Sequence, residues 1–179
     1  LYIIDNTFVN SYPSISYGWG TGWHSQILIM GNKIDNTVDI DRSYDVRIIN
    51  NTIVSGYYGI YLGSQSWNTI IANNVIEYNT YGIYLSSSYH NEIYYNTIRY
   101  NSYGIYFSSS SNNVIILNTM CNNTLNAMYL NSYSENNTIY MNNIFDTPYD
   151  SGSNNFDNGT YGNYWGLADN DTNHDWIID

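Results

Sequence analysis

Gly59-Ile60-Tyr61-Leu62 returns as Gly82-Ile83-Tyr84-Leu85 and again as Gly104-Ile105-Tyr106-Phe107, with a looser fourth copy at Ala127-Met128-Tyr129-Leu130. In each copy two apolar residues stand two positions apart with a tyrosine between them. That is the period of a strand, whose successive side chains point to opposite faces. The segments are short and bounded by Asn, Gly and Ser, the residues of tight turns. Ile, Tyr and Thr abound while Ala, Glu, Lys and Leu are scarce, so local preference also favours strand over helix.

A second pattern surrounds the first. Ile, two residues, Asn, one residue and a large apolar side chain occur at Ile3-Asn6-Phe8, Ile29-Asn32-Ile34, Ile48-Asn51-Ile53, Ile71-Asn74-Ile76, Ile93-Asn96-Ile98, Ile115-Asn118-Met120 and Ile139-Asn142-Ile144. The first Ile recurs after 26, 19, 23, 22, 22 and 24 residues. A period near 22 with three short strands fits one coil of a parallel β-helix. A leucine-rich repeat needs Leu at many fixed positions, and a propeller blade needs about 40 residues. The expected fold is therefore all-β, a single-stranded right-handed parallel β-helix of about seven rungs. It spans residues 1–145 and is followed by an irregular, aromatic and Asp/Asn-rich tail, 146–179. Rungs about 4.8 Å apart give a rod roughly 34 Å long. The recurrent Asn is expected to stack into a ladder at a corner and to tolerate the left-handed conformation that a sharp corner demands. The 19-residue repeat implies a tight corner, and the 26-residue repeat an extra loop at Tyr17 to His24.

Composition bounds the function. Among 179 residues, Lys plus Arg is 4 and Asp plus Glu is 15, a net charge of −11. Such a chain repels phosphate backbones and anionic lipid, which argues against nucleic-acid and membrane-surface partners. No stretch approaches the roughly 20 apolar residues of a membrane span. With 43% hydrophobic and 17% aromatic residues, 22 of them Tyr, the chain has the material for a packed core. Cys121 stands alone, so no intrachain disulfide forms.

The rung written Asn74-x-Ile76…Asn79-x-x-Gly82-Ile83-Tyr84-Leu85 resembles the NosD-like right-handed parallel β-helix repeat of bacterial and archaeal surface proteins. The resemblance covers residues 1 to about 145. The tail adds Gly162-Asn163-Tyr164-Trp165 and an Asp/Asn-rich stretch, similar to the ends of archaeal members. The resemblance implies the fold more sharply than the activity, because members include periplasmic copper accessory proteins, polysaccharide lyases and epimerases, and surface-layer or adhesin modules.

Few residues carry chemistry. Asp171, Asn173, Asp175, Ile177 and Asp179 alternate along the end of the tail. Oxygen ligands at positions 1, 3 and 5, a backbone carbonyl at 7 and a carboxylate at 9 suit a Ca²⁺ loop, although Trp176 stands where Gly normally permits the turn. Tyr61, Tyr84, Tyr106 and Tyr129 occupy one outward position of successive rungs, with Tyr58, Tyr81 and Tyr103 beside them. They form either a stripe for sugar rings or a neighbouring subunit, or a ladder that stabilises its own sheet. Asp39, Asp41, Asp45 and Arg47 crowd the short second repeat. A polysaccharide lyase would use such a cluster catalytically, and a solvated corner would use it for local ion pairs. Glu77 and Arg99 hold equivalent places on adjacent rungs and should pair. Copper would need a Met/His/Cys cluster, for which Met120, Cys121 and Met128 are near neighbours, with the two methionines expected in the core. Sequons begin at Asn50, Asn122, Asn136, Asn158 and Asn170, and they suit an exported glycoprotein.

The reading that results is an extracellular or cell-surface β-helix with a structural or adhesive, non-catalytic role. It would assemble head to tail through an exposed first rung and the tail, whose Phe156, Tyr161, Tyr164, Trp165 and Trp176 could form a cap. The alternatives are a carbohydrate-active lyase or epimerase and a glycan-binding module.

Overall fold

A computed structural model describes residues 1–10, 13–15 and 24–166. Three parallel sheets run the length of the molecule, and no helix occurs among the described residues. The first sheet orders Tyr2–Ile4, His24–Met30, Ser43–Ile49, Ile70–Ala72, Glu92–Tyr94, Val114–Ile116, Glu135–Tyr140 and Ser153–Asn155. The second orders Thr7–Val9, Lys33–Asp35, Thr52–Val54, Val75–Glu77, Thr97–Arg99, Thr119–Cys121, Asn143–Ile144 and Tyr164–Trp165. The third orders Ser14–Ile15, Val38–Asp41, Tyr58–Gly63, Tyr81–Ser86, Tyr103–Ser108, Asn126–Leu130 and Tyr149–Asp150. The chain visits the sheets in that cycle, so the backbone winds as a β-solenoid of about seven turns.

Register places like residues over one another. Ile48, Ile71, Ile93, Ile115 and Ile139 align in the first sheet. Ile53, Ile76, Ile98, Met120 and Ile144 align in the second. Ile60, Ile83, Ile105 and Met128 align in the third, as do Leu62, Leu85, Phe107 and Leu130. All these side chains are buried and form one continuous core. Each removes a full aliphatic or aromatic surface from water, worth about 1.5–3 kcal/mol. The period-2 reading of Ile60/Leu62 and Ile83/Leu85 as inward is thus what the solenoid buries. Gly82 opens its motif because its neighbours leave no room for a side chain: a Cβ there would lie 2.5 Å from the Gly104 carbonyl oxygen.

The corners are held by side-chain ladders. Asn6, Asn32, Asn51, Asn74, Asn96, Asn118, Asn142 and Asn163 form the longest. The backbone N–H of Asn74 donates to Asn96 Oδ1 at 2.9 Å and its Nδ2 donates to the same oxygen at 3.0 Å. The same pair of bonds repeats from Asn96 to Asn118 and from Asn118 to Asn142. A second ladder runs through Asn79, Asn101 and Asn123 and ends on Asp146, whose Oδ2 accepts from both Asn123 nitrogens. A third uses Ser88, Ser110 and Ser134, and a fourth uses Asn91, Asn113, Asn137 and Asn154. These amides satisfy polar backbone groups that the corners bury.

The left-handed residue at each corner is not the ladder Asn. It is the residue before it: Asn50 (φ 57°), Asn73 (56°), Tyr95 (56°), Leu117 (57°) and Met141 (54°). Turning the backbone one residue early aims the following side chain inward, where it reaches the next rung.

The sheets continue past residue 145. Tyr149–Asp150 extends the third sheet, Ser153–Asn155 the first and Tyr164–Trp165 the second. Phe156 and Trp165, with centroids 5.8 Å apart, pack against the core at this end. The 17–23 loop and residues 167–179 lie outside the described residues.

Candidate functional site

The outward face of the third sheet carries the tyrosine column. Tyr61, Tyr84, Tyr106, Tyr129 and Tyr149 follow one another in register, joined at the first end by Asp39. Their rings stack with centroids 5.8, 5.0, 4.7 and 4.7 Å apart and interplanar angles of 20° or less. A second column, Tyr58, Tyr81 and Tyr103, stacks at 5.5 and 5.1 Å and meets the first edge to face. Partial burial pushes Tyr58, Tyr61 and Tyr106 above the ordinary phenol range, and Tyr81 up to about 12, with neighbouring phenols adding to the shift. Beside Tyr61, Asp41 and Asp39 add to the rise while a hydrogen bond with Ser86 opposes it.

The orientation decides what the column can do. Each inner ring has its faces covered by the tyrosines above and below, so what it turns to solvent is an edge and a hydroxyl. A pyranose stacks on an aromatic face. The column is therefore built first as cross-strand packing for its own sheet, and it offers a ligand or a partner a row of hydroxyls at rung spacing.

The four charged candidates of the short repeat divide into two pairs on different sheets. Asp39 and Asp41 lie in Val38–Asp41 on the third sheet, whereas Asp45 and Arg47 lie in Ser43–Ile49 on the first. The corner at Arg42, with φ 48°, sends sequence neighbours to different faces. Asp41 sits 3.7 Å from Arg42, and Asn68 Nδ2 donates to Asp45 Oδ1. Asp45 and Arg47 are both exposed and share a groove of about 500 Å³ with Tyr2, Gln26, Asn68 and Ile70. Arg99 Nε donates to Glu77 Oε2 at 2.8 Å, the inter-rung pair that the repeat predicts.

Metal candidates separate in the same way. Asp171, Asn173, Asp175, Ile177 and Asp179 lie outside the described residues. Met120 and Met128 are fully buried in the core, while Cys121 faces outward beside Arg99. Burial, and after it Asp146, push the Cys121 thiol up. These three sulfurs therefore do not form a copper donor set, and no group of three His, Cys, Asp or Glu side chains converges among the described residues.

Sequon residues Asn50, Asn122, Asn136 and Asn158 are exposed, and Asn170 lies outside the described residues. Asn50, Asn122 and Asn136 each hold φ 57° at a corner and precede a buried ladder Asn. Asn-Asn-Thr thus follows from corner geometry: a left-handed Asn, a ladder Asn, then Thr.

Pattern reading passed over one cluster. Tyr44, Trp67 and Tyr89 are joined by parallel bridges on three successive rungs at the corner between the third and first sheets. Tyr44 and Trp67 stack at 5.4 Å and 22°. The available signal was that each follows a corner serine, Ser43, Ser66 or Ser88.

The family model described as periplasmic copper-binding protein (NosD) matches residues 1–170. No curated protein matches the chain. Among solved structures, the periplasmic alginate epimerase AlgG is similar at 25% identity with a TM-score of 0.66, and a single and a double mutant of it align at 0.69. In each case 79% of this chain is covered, but it spans only 34% of the epimerase.

Proposed function

The chain belongs to the NosD family, and from that premise we propose that it is an exported β-helix with a structural or adhesive role rather than a catalytic one. The separation of Asp39 and Asp41 from Asp45 and Arg47 carries this reading. Proton abstraction beside a carboxylate needs a base and a charge-stabilising cation on one substrate. The most charged stretch of the chain sends Asp39 and Asp41 to the third sheet and leaves only Asp45, hydrogen-bonded to Asn68, in the groove with Arg47. The exterior is ordered by repetition instead: stacked tyrosines, exposed corner asparagines and threonines at rung spacing, a surface suited to contact along the rod with glycan or with other copies. Export to a periplasmic or extracellular compartment is supported by the periplasmic descriptions of the family and of AlgG.

A carbohydrate-active role is the second reading, favoured by the likeness to AlgG over 79% of this chain. Incubation with alginate separates the two. The uronate composition read by proton NMR, and the absorbance of unsaturated chain ends, should both stay unchanged; inversion at C-5 or new unsaturated ends would establish turnover.

A further inference from the structure

The corner of Tyr44, Trp67 and Tyr89 differs from the tyrosine column in one respect that matters for a ligand. Trp67 is covered by Tyr44 on one side, but among the described residues no ring contact joins it to Tyr89, although the backbone pairs the two. Trp67 remains 38% exposed and Tyr89 36%. They line a shallow depression of about 720 Å³ with Gln65 and His90, and Tyr89 meets His90 edge to face at 5.8 Å.

The backbone here is also exceptional. Leu85 to Ser88 and Phe107 to Ser110 are three residues, whereas Leu62 to Ser66 is four, as is Leu130 to Ser134; only the first of these longer turns has two left-handed residues in succession. The extra residue forms a turn closed by Ser66 N–H donating to the Gly63 carbonyl at 3.0 Å. Both central residues, Ser64 (φ 37°) and Gln65 (69°), are left-handed without being glycine or asparagine. Two such residues in succession are strained, and strain of this kind collects at binding sites. Its effect is to place Gln65 against the Trp67 depression.

We infer that this corner is a binding subsite for a neutral hexopyranose polysaccharide, with a sugar ring stacked on Trp67 and its hydroxyls held by Gln65 and His90. An open indole beside amide and imidazole groups is what a pyranose needs: an aromatic face for its C–H groups and donors and acceptors for its rim. Tyr44 to Tyr89 spans two rungs, about 10 Å, comparable to two linked pyranose units. The depression contains no carboxylate. Of the charges at this corner, Arg42 lies 3.7 Å from Asp41, and Asp45 accepts from Asn68. The net charge of −11 disfavours an acidic polymer. The inference goes beyond self-assembly and does not depend on it.

Affinity electrophoresis of the full chain in gels containing galactomannan, glucomannan or hydroxyethylcellulose tests it, with alginate as the acidic comparison. At least one neutral polymer should retard the wild type, and alginate should not. Trp67→Ala and Tyr89→Ala should bind at least about tenfold more weakly, whereas Thr97→Ala on the second sheet should bind as wild type. Gln65→Ala, an exposed position, should weaken binding with an unchanged melting curve, which holds even if Trp67→Ala fails to fold. Equal retardation of Gln65→Ala, Trp67→Ala and wild type, preference for alginate, or no retardation by any neutral polymer would overturn it.

Discussion

Replacing Asn96 by alanine should remove about a fifth or more of the stability of the fold. Asn96 is 1% exposed. Its Nδ2 donates to the carbonyls of Ile71 and Tyr94 at 2.9 and 3.1 Å and to Asn118 Oδ1 at 2.9 Å. Its Oδ1 accepts from Asn74 N and Nδ2 at 2.9 and 3.0 Å. Truncation leaves the buried Asn74 backbone N–H without that acceptor, about 1–3 kcal/mol, and removes further bonds worth about 1 kcal/mol each net. Asn74 Nδ2 keeps the Ile48 carbonyl and Asn118 Oδ1 keeps the Asn96 backbone N–H, so those two losses are partial. The sum is about 3–5 kcal/mol, against a total stability of about 5–15 kcal/mol. Asn50→Ala is the control, since that side chain is exposed at φ 57° and its replacement costs only about 1 kcal/mol of left-handed strain. Urea unfolding followed by circular dichroism compares the two. An Asn96→Ala loss below about 1 kcal/mol, or one equal to that of Asn50→Ala, would refute the view that the ladder carries the corner.

Three further outcomes are expected. Met141, 39% exposed at φ 54°, bears left-handed strain that Asn tolerates, so Met141→Asn should gain about 1 kcal/mol in the same assay. The tyrosine columns should make the protein alkali-sensitive. Raised phenol pKa values mean that the folded state holds its protons longer, so their contribution is intact below pH 10 and is lost as pH climbs toward about 12, through the Tyr81 value. Phenolate absorbance should therefore rise together with unfolding, and Tyr81→Phe should move that transition to higher pH. Calcium titration by calorimetry should give binding heat in the wild type and less in Asp171→Ala; no heat in either ends the proposal of a Ca²⁺ loop.

The solenoid was legible because its two signals reinforce each other. Ile60 and Leu62 report the period of a strand, and the recurrence of Asn74 and Asn96 after 22 residues reports the period of the coil. What escaped depends on backbone angles or on rung-to-rung neighbours. The left-handed position falls one residue before the ladder Asn and is filled by Asn, Tyr, Leu or Met, so composition does not mark it. The pattern was lost after Asn142 because Phe156, which follows the ladder Asn154 as Ile139 follows Asn137, precedes Asn163 by seven residues instead of three. The inserted turn closes on itself, with Asn158 Oδ1 accepting from Thr160 and Tyr161. Asp41 and Asp45 look clustered in sequence, yet the corner between them turns one onto the third sheet and the other onto the first. Trp67 is one aromatic residue among many until the bridges to Tyr44 and Tyr89 align it with them.

Every assignment made to a face or a corner depends on the register of adjacent rungs, and the native cysteine allows that register to be read in one experiment. Arg99 and Cys121 are direct partners on neighbouring strands of the second sheet, a spacing of about 4.8 Å that a disulfide spans. Arg99→Cys should oxidise under mild conditions to an intrachain disulfide with Cys121, detected by intact mass, while Thr97→Cys, displaced by two residues along the strand, should remain reduced. Cross-linking of Thr97→Cys in preference to Arg99→Cys would contradict the stacking on which the account rests.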